Sequence, residues 1–290
     1  MFWPEIQIAD LHELQVIFSG EKYKECFKNK TYSGFVFFDI GSVLLDLDWD
    51  IYINSFEGLL PPTAVKDCKQ IYRVLKKEAV LHKWCCGKMG AFEYAKSFIH
   101  VLLKTAKMLQ LENQISIQDI KKADSYVVGA PRQSVLELAK KLRELNFGIG
   151  VLSNATTWHE VVIEKKIPLR ELFDVIIFSQ DVGFEKPDQE IYKIAFSEAQ
   201  AFIAKKYRQK LDVEDTYFID DTPANVRAAI DFGWNASLVN LLNENIMSMI
   251  ESNKVSDLEL KMLSTQRENL FFGESVAGRI KNIFRNIISL

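Results

Sequence analysis

Four short apolar runs punctuate the chain, and each one ends in polar residues. They are FVFFDIGSVLL over 35–45, FGIGVLSNAT over 147–156, FDVIIFSQDVG over 173–183 and DTYFIDDTPAN over 215–225. Runs of this length without alternation predict strands buried on both faces. Helical periodicity lies between them. VLELAKKLREL (135–145) has apolar positions at i, i+3, i+4 and i+7 with a basic outer face, Pro187 opens a second helix at PDQEIYKIAFSEAQAFIAKKY, and Pro223 a third at PANVRAAIDFG. Strand alternating with helix predicts an α/β fold with a parallel sheet. The alternation breaks between about residues 50 and 128, where the pattern is helical throughout, as in SFIHVLLKTAKMLQL. The expected organisation is therefore an N-terminal extension (1–32), a core (33–50 and 128–245), a helical insert (51–127) and a C-terminal helical extension (246–290).

Composition narrows the classes of partner. Hydrophobic residues make up 48% of the 290, enough for a substantial core, and 36 Lys+Arg against 39 Asp+Glu leave a net charge of −3, too weak a field to hold a polyanion. Nucleic acid is not expected as a partner. No window reaches the roughly 18 apolar residues of a transmembrane helix, and MFWPEIQIADLHELQ lacks the basic and apolar regions of a secretory signal. Cys26, Cys68, Cys85 and Cys86 have no metal-finger spacing and are expected to be reduced thiols, which places the protein in a cytoplasm. The last stretch, SVAGRIKNIFRNIISL (275–290), is an amphipathic helix. It is expected to pack on its own domain, with a homo-oligomer or partner contact and a membrane-surface helix as the alternatives.

The candidate chemistry sits where the strands end. In open parallel sheets, ligands gather beyond the C-terminal strand ends, which is where Asp39, Ser153, Asn154, Asp220 and Asp221 fall. Asn225 either hydrogen-bonds in that crevice or caps its own helix. His12, His82, His100 and His159 lack metal-ligand spacing and receive no catalytic role, His159 being expected on a helix surface.

FVFFDIGSVL, VLSNAT, GFEKPDQEIY and YFIDDTPANV, in that order, resemble the four motifs of the haloacid dehalogenase-like (HAD) hydrolases, in the subfamily with a helical cap inserted after the first strand. The resemblance covers roughly residues 33–240 and implies a Rossmann-like core. It further implies that Asp39 is a nucleophile forming an acyl phosphate. Mg2+ would be held by Asp221 directly, by Asp220 through a bound water, by Asp39 and by the Gly41 carbonyl. Ser153 would donate to a phosphoryl oxygen, Asn154 would orient the site, and Lys186 would neutralise nucleophile and substrate together. DIGSVLLDLD and FIDDTPANVRAAIDFGW are similar to a branch of sugar-phosphate phosphatases, making a small phosphorylated metabolite the expected substrate.

One position departs from the family. Phosphatases of the family usually carry an Asp two residues after the nucleophile, and here that residue is Gly41, similar to the Asp-Leu-Gly-Asn-Val opening of the sugar-phosphate phosphatase branch. A water or Asp46 reaching back are candidate replacements. The same absence leaves a 2-haloacid dehalogenase, or a binding or regulatory protein without turnover, as alternatives. Substrate selectivity is assigned to the insert segment LHKWCCGKMGAFEY, where Gly87 breaks a helix and Trp84 and Lys88 are candidate substrate contacts.

Overall fold

A computed structural model describes residues 7–9, 14, 32–48, 51–52, 55, 74–105 and 115–239. The C-terminal helix expected over 275–290, Cys26, Cys68 and His12 lie outside the described residues. In chain order the strands are β1 (Gln7–Ala9), β2 (Gly34–Phe38), β3 (Leu45–Leu47), β4 (Val128–Pro131), β5 (Phe147–Ser153), β6 (Val175–Phe178), β7 (Thr216–Asp220) and β8 (Asn235–Val239). The helices are α1 (Val80–Cys85), α2 (Ala91–Thr105), α3 (Ile117–Ser125), α4 (Gln133–Glu144), α5 (Thr157–Lys166), α6 (Leu169–Leu172), α7 (Ser179–Val182), α8 (Gln189–Tyr207) and α9 (Pro223–Phe232).

Six strands form one sheet in the order β1-β8-β7-β2-β5-β6, with every neighbouring pair parallel. This is the α/β architecture that the strand–helix alternation predicts. The sheet also takes in Gln7–Ala9 as an edge strand beside β8, although the pattern places residues 1–32 outside the core. A run of three residues is too short to carry a periodicity signal.

The central strand explains the tight packing at the middle of the sheet. All five residues of β2 are buried, and Phe35 and Phe37 pair in register with Gly148 and Gly150 of β5. A Cβ at 148 would lie 2.4 Å from the Phe35 ring and one at 150 would lie 2.7 Å from the Phe37 ring. Glycine is therefore required there by close approach, since two large rings occupy the volume that side chains on β5 would take. Phe37 also stacks on Trp234 with ring centroids 5.2 Å apart.

The insert leaves and returns through a narrow neck. β3 and β4 pair antiparallel, Leu45 with Pro131 and Leu47 with Val128. The ammonium of Lys166, at the end of α5, donates to the carbonyls of Val128 and Gly129 at 2.7 and 2.8 Å and ties the returning strand to the core. Beyond the neck, α3 begins with a capping box in which Ser116 and Asp119 bond each other's backbone N–H. Trp84 of α1, Tyr94 and Phe98 of α2 and Trp158 of α5 form one aromatic cluster, which joins insert to core. Among the described residues no helix is long and apolar enough to cross a membrane.

Candidate active site

Asp39 is the first residue past β2, and its N–H still joins the ladder by donating to the Ile219 carbonyl at 2.9 Å. The chain then turns tightly, with the N–H groups of Val43, Leu44 and Leu45 all directed at the Ile40 carbonyl. Ser42 occupies the left-handed region (φ 57°), uncommon for a residue with a Cβ. Arg132, just before α4, holds this turn in place. It donates to the Ser42 carbonyl at 2.8 Å and to Asp46 at 2.7 Å. The Ile40 N–H donates to Asp39 Oδ1 at 2.7 Å, which fixes the carboxylate at the strand end.

Two further strand ends and one loop converge on Asp39. Asp220, at the end of β7, is fully buried. It accepts hydrogen bonds from Lys186 Nζ (2.6 Å), the Thr222 N–H (2.7 Å) and Asn225 Nδ2 (3.1 Å to each oxygen). Asn225 thus serves the crevice. Asp221 is hydrogen-bonded by the hydroxyls of Thr222 and Ser42. Ser153 is buried at the end of β5, and the side-chain amide of Asn154 clamps Lys186 by donating to its carbonyl at 2.9 Å and accepting from its N–H at 2.8 Å. Held in this way, Lys186 places Nζ 2.9 Å from Asp39 Oδ1 and 5.2 Å from the centre of the Phe218 ring.

Charge decides what this arrangement can hold. One oxygen from each of Asp39, Asp220 and Asp221 lies within 4.8 Å of the others, so three carboxylates face one ammonium and leave an excess of two negative charges. Buried charge of one sign is costly unless it is compensated. A set made only of hard oxygen donors with this excess suits a divalent cation such as Mg2+. Burial, then the Asp39 carboxylate, pushes the Asp221 carboxyl above its ordinary value. For Lys186, burial works against the ammonium, but the carboxylates of Asp220 and Asp39 outweigh it and hold its pKa above the ordinary lysine value.

Other residues singled out in the sequence fall elsewhere. Trp84 is buried, with its ring stacked on Tyr94 at 4.8 Å in the aromatic cluster. Lys88 is exposed, with its ammonium 5.7 Å from the centre of the Phe184 ring, two residues before Lys186. Asp46 is committed to Arg132. His159 is paired with the buried Asp124 of α3 at 2.9 Å, because the insert packs over the face on which a surface histidine is expected. Burial opposes its protonation, yet the Asp124 carboxylate more than compensates and raises its pKa. The second helix starts at Gln189 and not at Pro187, because Asp188 caps it by accepting from the Glu190 N–H at 3.0 Å. Ser42, Thr222 and Arg132 belong to the site's supporting network; the first two lie within the quoted motifs with no role read for them, and Arg132 lies outside the motifs.

A family model described as haloacid dehalogenase-like hydrolase matches residues 35–233. An uncharacterised hydrolase of Schizosaccharomyces pombe is 32% identical over 99 residues, 34% of this chain and 42% of that protein, so the chain aligns with less than half of that relative. An (S)-2-haloacid dehalogenase of Pseudomonas putida is 20% identical over 190 residues, 62% of this chain and 79% of that enzyme. Among solved structures, a HAD family enzyme of Bacteroides thetaiotaomicron in complex with magnesium and inorganic phosphate superposes with a TM-score of 0.57. It is 19% identical, and the match covers 74% of this chain and 98% of that one. At that identity the likeness shows a shared fold.

Proposed function

Because the chain belongs to the haloacid dehalogenase-like hydrolases, we propose that it is a Mg2+-dependent phosphatase that hydrolyses a small phosphorylated metabolite, a sugar phosphate being the favoured class, through an aspartyl-phosphate intermediate. The observation that carries this reading is the group of Asp39, Asp220 and Asp221 with Lys186 bridging two of them. The fold neighbour complexed with magnesium and inorganic phosphate supports it. Asp221, Asp39 and the Gly41 carbonyl would hold the ion, with Asp220 acting through a bound water. When bound, Mg2+ supplies the positive charge that lets a carboxylate approach a phosphate.

The protein's own groups divide the remaining work. Oδ1 of Asp39 is engaged by Lys186 and the Ile40 N–H, so Oδ2 is the oxygen that attacks phosphorus. Lys186 offsets charge on the nucleophile and on the phosphoryl group, and Asn154 acts by positioning Lys186. Ser153, buried at the end of β5, donates its hydroxyl to a phosphoryl oxygen. With glycine at 41, the leaving oxygen departs without a carboxylic acid from that position. The test is hydrolysis of an aryl phosphate with and without Mg2+, together with trapping of the beryllium fluoride adduct on Asp39. Turnover that is unchanged by chelator, or an adduct elsewhere, would overturn the reading.

A second reading, metal-independent dehalogenation of a 2-haloacid, is favoured by one observation. Position 41 offers no proton, and a halide leaves without one, as the resemblance to the Pseudomonas putida dehalogenase also suggests. Chloride release from 2-chloropropionate in chelator separates the two.

A further inference from the structure

A second set of metal-ligating atoms lies where the insert meets the core, outside the group around Asp39. His82 and Cys86 are four residues apart at the end of α1, so both side chains fall on one face. The Cys86 N–H still donates to the His82 carbonyl at 2.9 Å, which keeps that spacing helical. Glu185 comes from the core, immediately before Lys186. His82 Nδ1 lies 2.7 Å from Glu185 Oε1 and 3.7 Å from Cys86 Sγ, and one ligand atom from each of the three residues lies within 4.8 Å of the other two. Zn2+ bound tetrahedrally by imidazole and thiolate requires a nitrogen-to-sulfur separation of about 3.5 Å, close to the separation found here.

The surrounding contacts build this arrangement. Gly87 has φ 63°, and a Cβ on it would lie 2.3 Å from the Gln180 carbonyl oxygen, so only glycine lets the turn after α1 approach the core this closely. The Ser179 hydroxyl donates to the Cys85 carbonyl at 2.6 Å and anchors the same turn. Cys86 is buried, while the His82 and Glu185 side chains are 50% and 29% exposed, leaving an ion a route in from solvent.

The geometry points to a Zn2+ site formed by His82, Cys86 and Glu185, with water as the fourth ligand, that fastens the inserted helices to the core beside Lys186. Thiolate and imidazole select zinc over magnesium, whereas the all-carboxylate group around Asp39 has the opposite preference. The two sites are therefore chemically separable. On zinc binding, the Cys86 thiol proton passes to solvent, the proton that His82 Nδ1 shares with Glu185 leaves that nitrogen so that the neutral ring is protonated on Nε2, and the Glu185 carboxylate moves back from the imidazole by about 0.6 Å to reach the separation a tetrahedral ion sets.

The test titrates Zn2+, and separately Co2+ as a spectroscopic probe, into full-length protein saturated with Mg2+. The expected result is one zinc per chain that Mg2+ does not displace, and a thiolate-to-cobalt charge-transfer band. His82→Gln and Cys86→Ser are each expected to weaken zinc binding about tenfold or more, whereas Asp221→Ala retains it. His82 is exposed enough that His82→Gln keeps the fold even where Cys86→Ser does not. Unchanged zinc affinity in His82→Gln, or a cobalt complex without a thiolate band, overturns the proposal. Zinc binding that persists in a protein inactive toward phosphate esters leaves the zinc site standing and removes only the phosphatase reading.

Discussion

Replacing Gly41 with aspartate tests how the leaving group departs. Gly41 is outside the left-handed region, so the backbone accepts a side chain. The atoms nearest a Cβ there would be those of the Leu47 side chain, its methyls at 3.2 and 3.4 Å. Leu47 is partly exposed and ends in a flexible side chain, so a shift of a few tenths of an ångström relieves the contact, and Gly41→Asp is expected to cost about 1 kcal/mol or less. A well-placed general acid contributes about 10² to 10⁴ in rate. Asp46, a candidate replacement, is bound to Arg132, and Asp220 and Asp221 are given to the ion in the proposed reading. The variant is expected to cleave primary alkyl phosphates about tenfold faster or more, short of that full range because the acid is newly placed. Aryl phosphates, whose oxygens leave readily, are expected to change little. The assay plots log turnover against leaving-group pKa for an ester series, wild type beside variant, where phosphoryl transfer limits the rate. A steep wild-type line that flattens in the variant is the expected result. A flat wild-type line would refute the reasoning by showing that another group already donates the proton.

Four other outcomes are expected. Asp39→Asn abolishes turnover with the fold intact, and retention of more than about a hundredth of activity in steady-state kinetics would remove Asp39 from its role. Asp221→Ala weakens Mg2+ binding more than Asp220→Ala does, as read by calorimetry, whereas Asp220→Ala lowers the melting temperature more because it strips partners from Lys186, Asn225 and the Thr222 N–H. Without Mg2+, burial, opposed in part by Lys186, raises the Asp220 carboxyl to about 7, and burial also raises Asp221; the folded state then binds protons that the unfolded chain releases, so this stability is present at low pH and lost as pH rises toward about 7, a slope in thermal melts that Asp220→Asn should reduce. Trp84→Ala costs about 3 kcal/mol or more in denaturant unfolding because the ring joins α1, α2 and α5, and a substrate-dependent loss of activity without that destabilisation would instead place the indole at the substrate.

The core was legible because its signals are short and local. An apolar run ending in Asp39, Ser153 or Asp220 names both a strand and the polar group at its end, and parallel pairing then brings those ends together. What remained hidden depends on contacts across long sequence separations. The bonds from Arg132 to Ser42 and from Asn154 to Lys186 span 90 and 32 residues. The His159–Asp124 pair likewise exists only because α3 packs on α5. The pattern allows Asn225 two roles for the same reason, since only the folded chain brings its amide to both oxygens of Asp220. The helix start at Gln189 is ambiguous in the sequence because a proline signal and an aspartate cap stand side by side in Pro187-Asp188, and in the fold the cap prevails.

The two-strand neck has a consequence for how such a protein can diversify. Because β3 and β4 pair with each other and not with the main sheet, the chain leaves after Leu47 and returns at Val128 side by side, on one hairpin-like stem. Gly129 is part of that stem's tolerance limit, since a Cβ there would sit 2.7 Å from the Asp46 carbonyl oxygen. No strand of the six-stranded sheet comes from the described residues between Leu47 and Val128. A segment attached in this way can be exchanged, lengthened or pruned as a graft while Asp39, Asp220 and Asp221 stay where the sheet puts them.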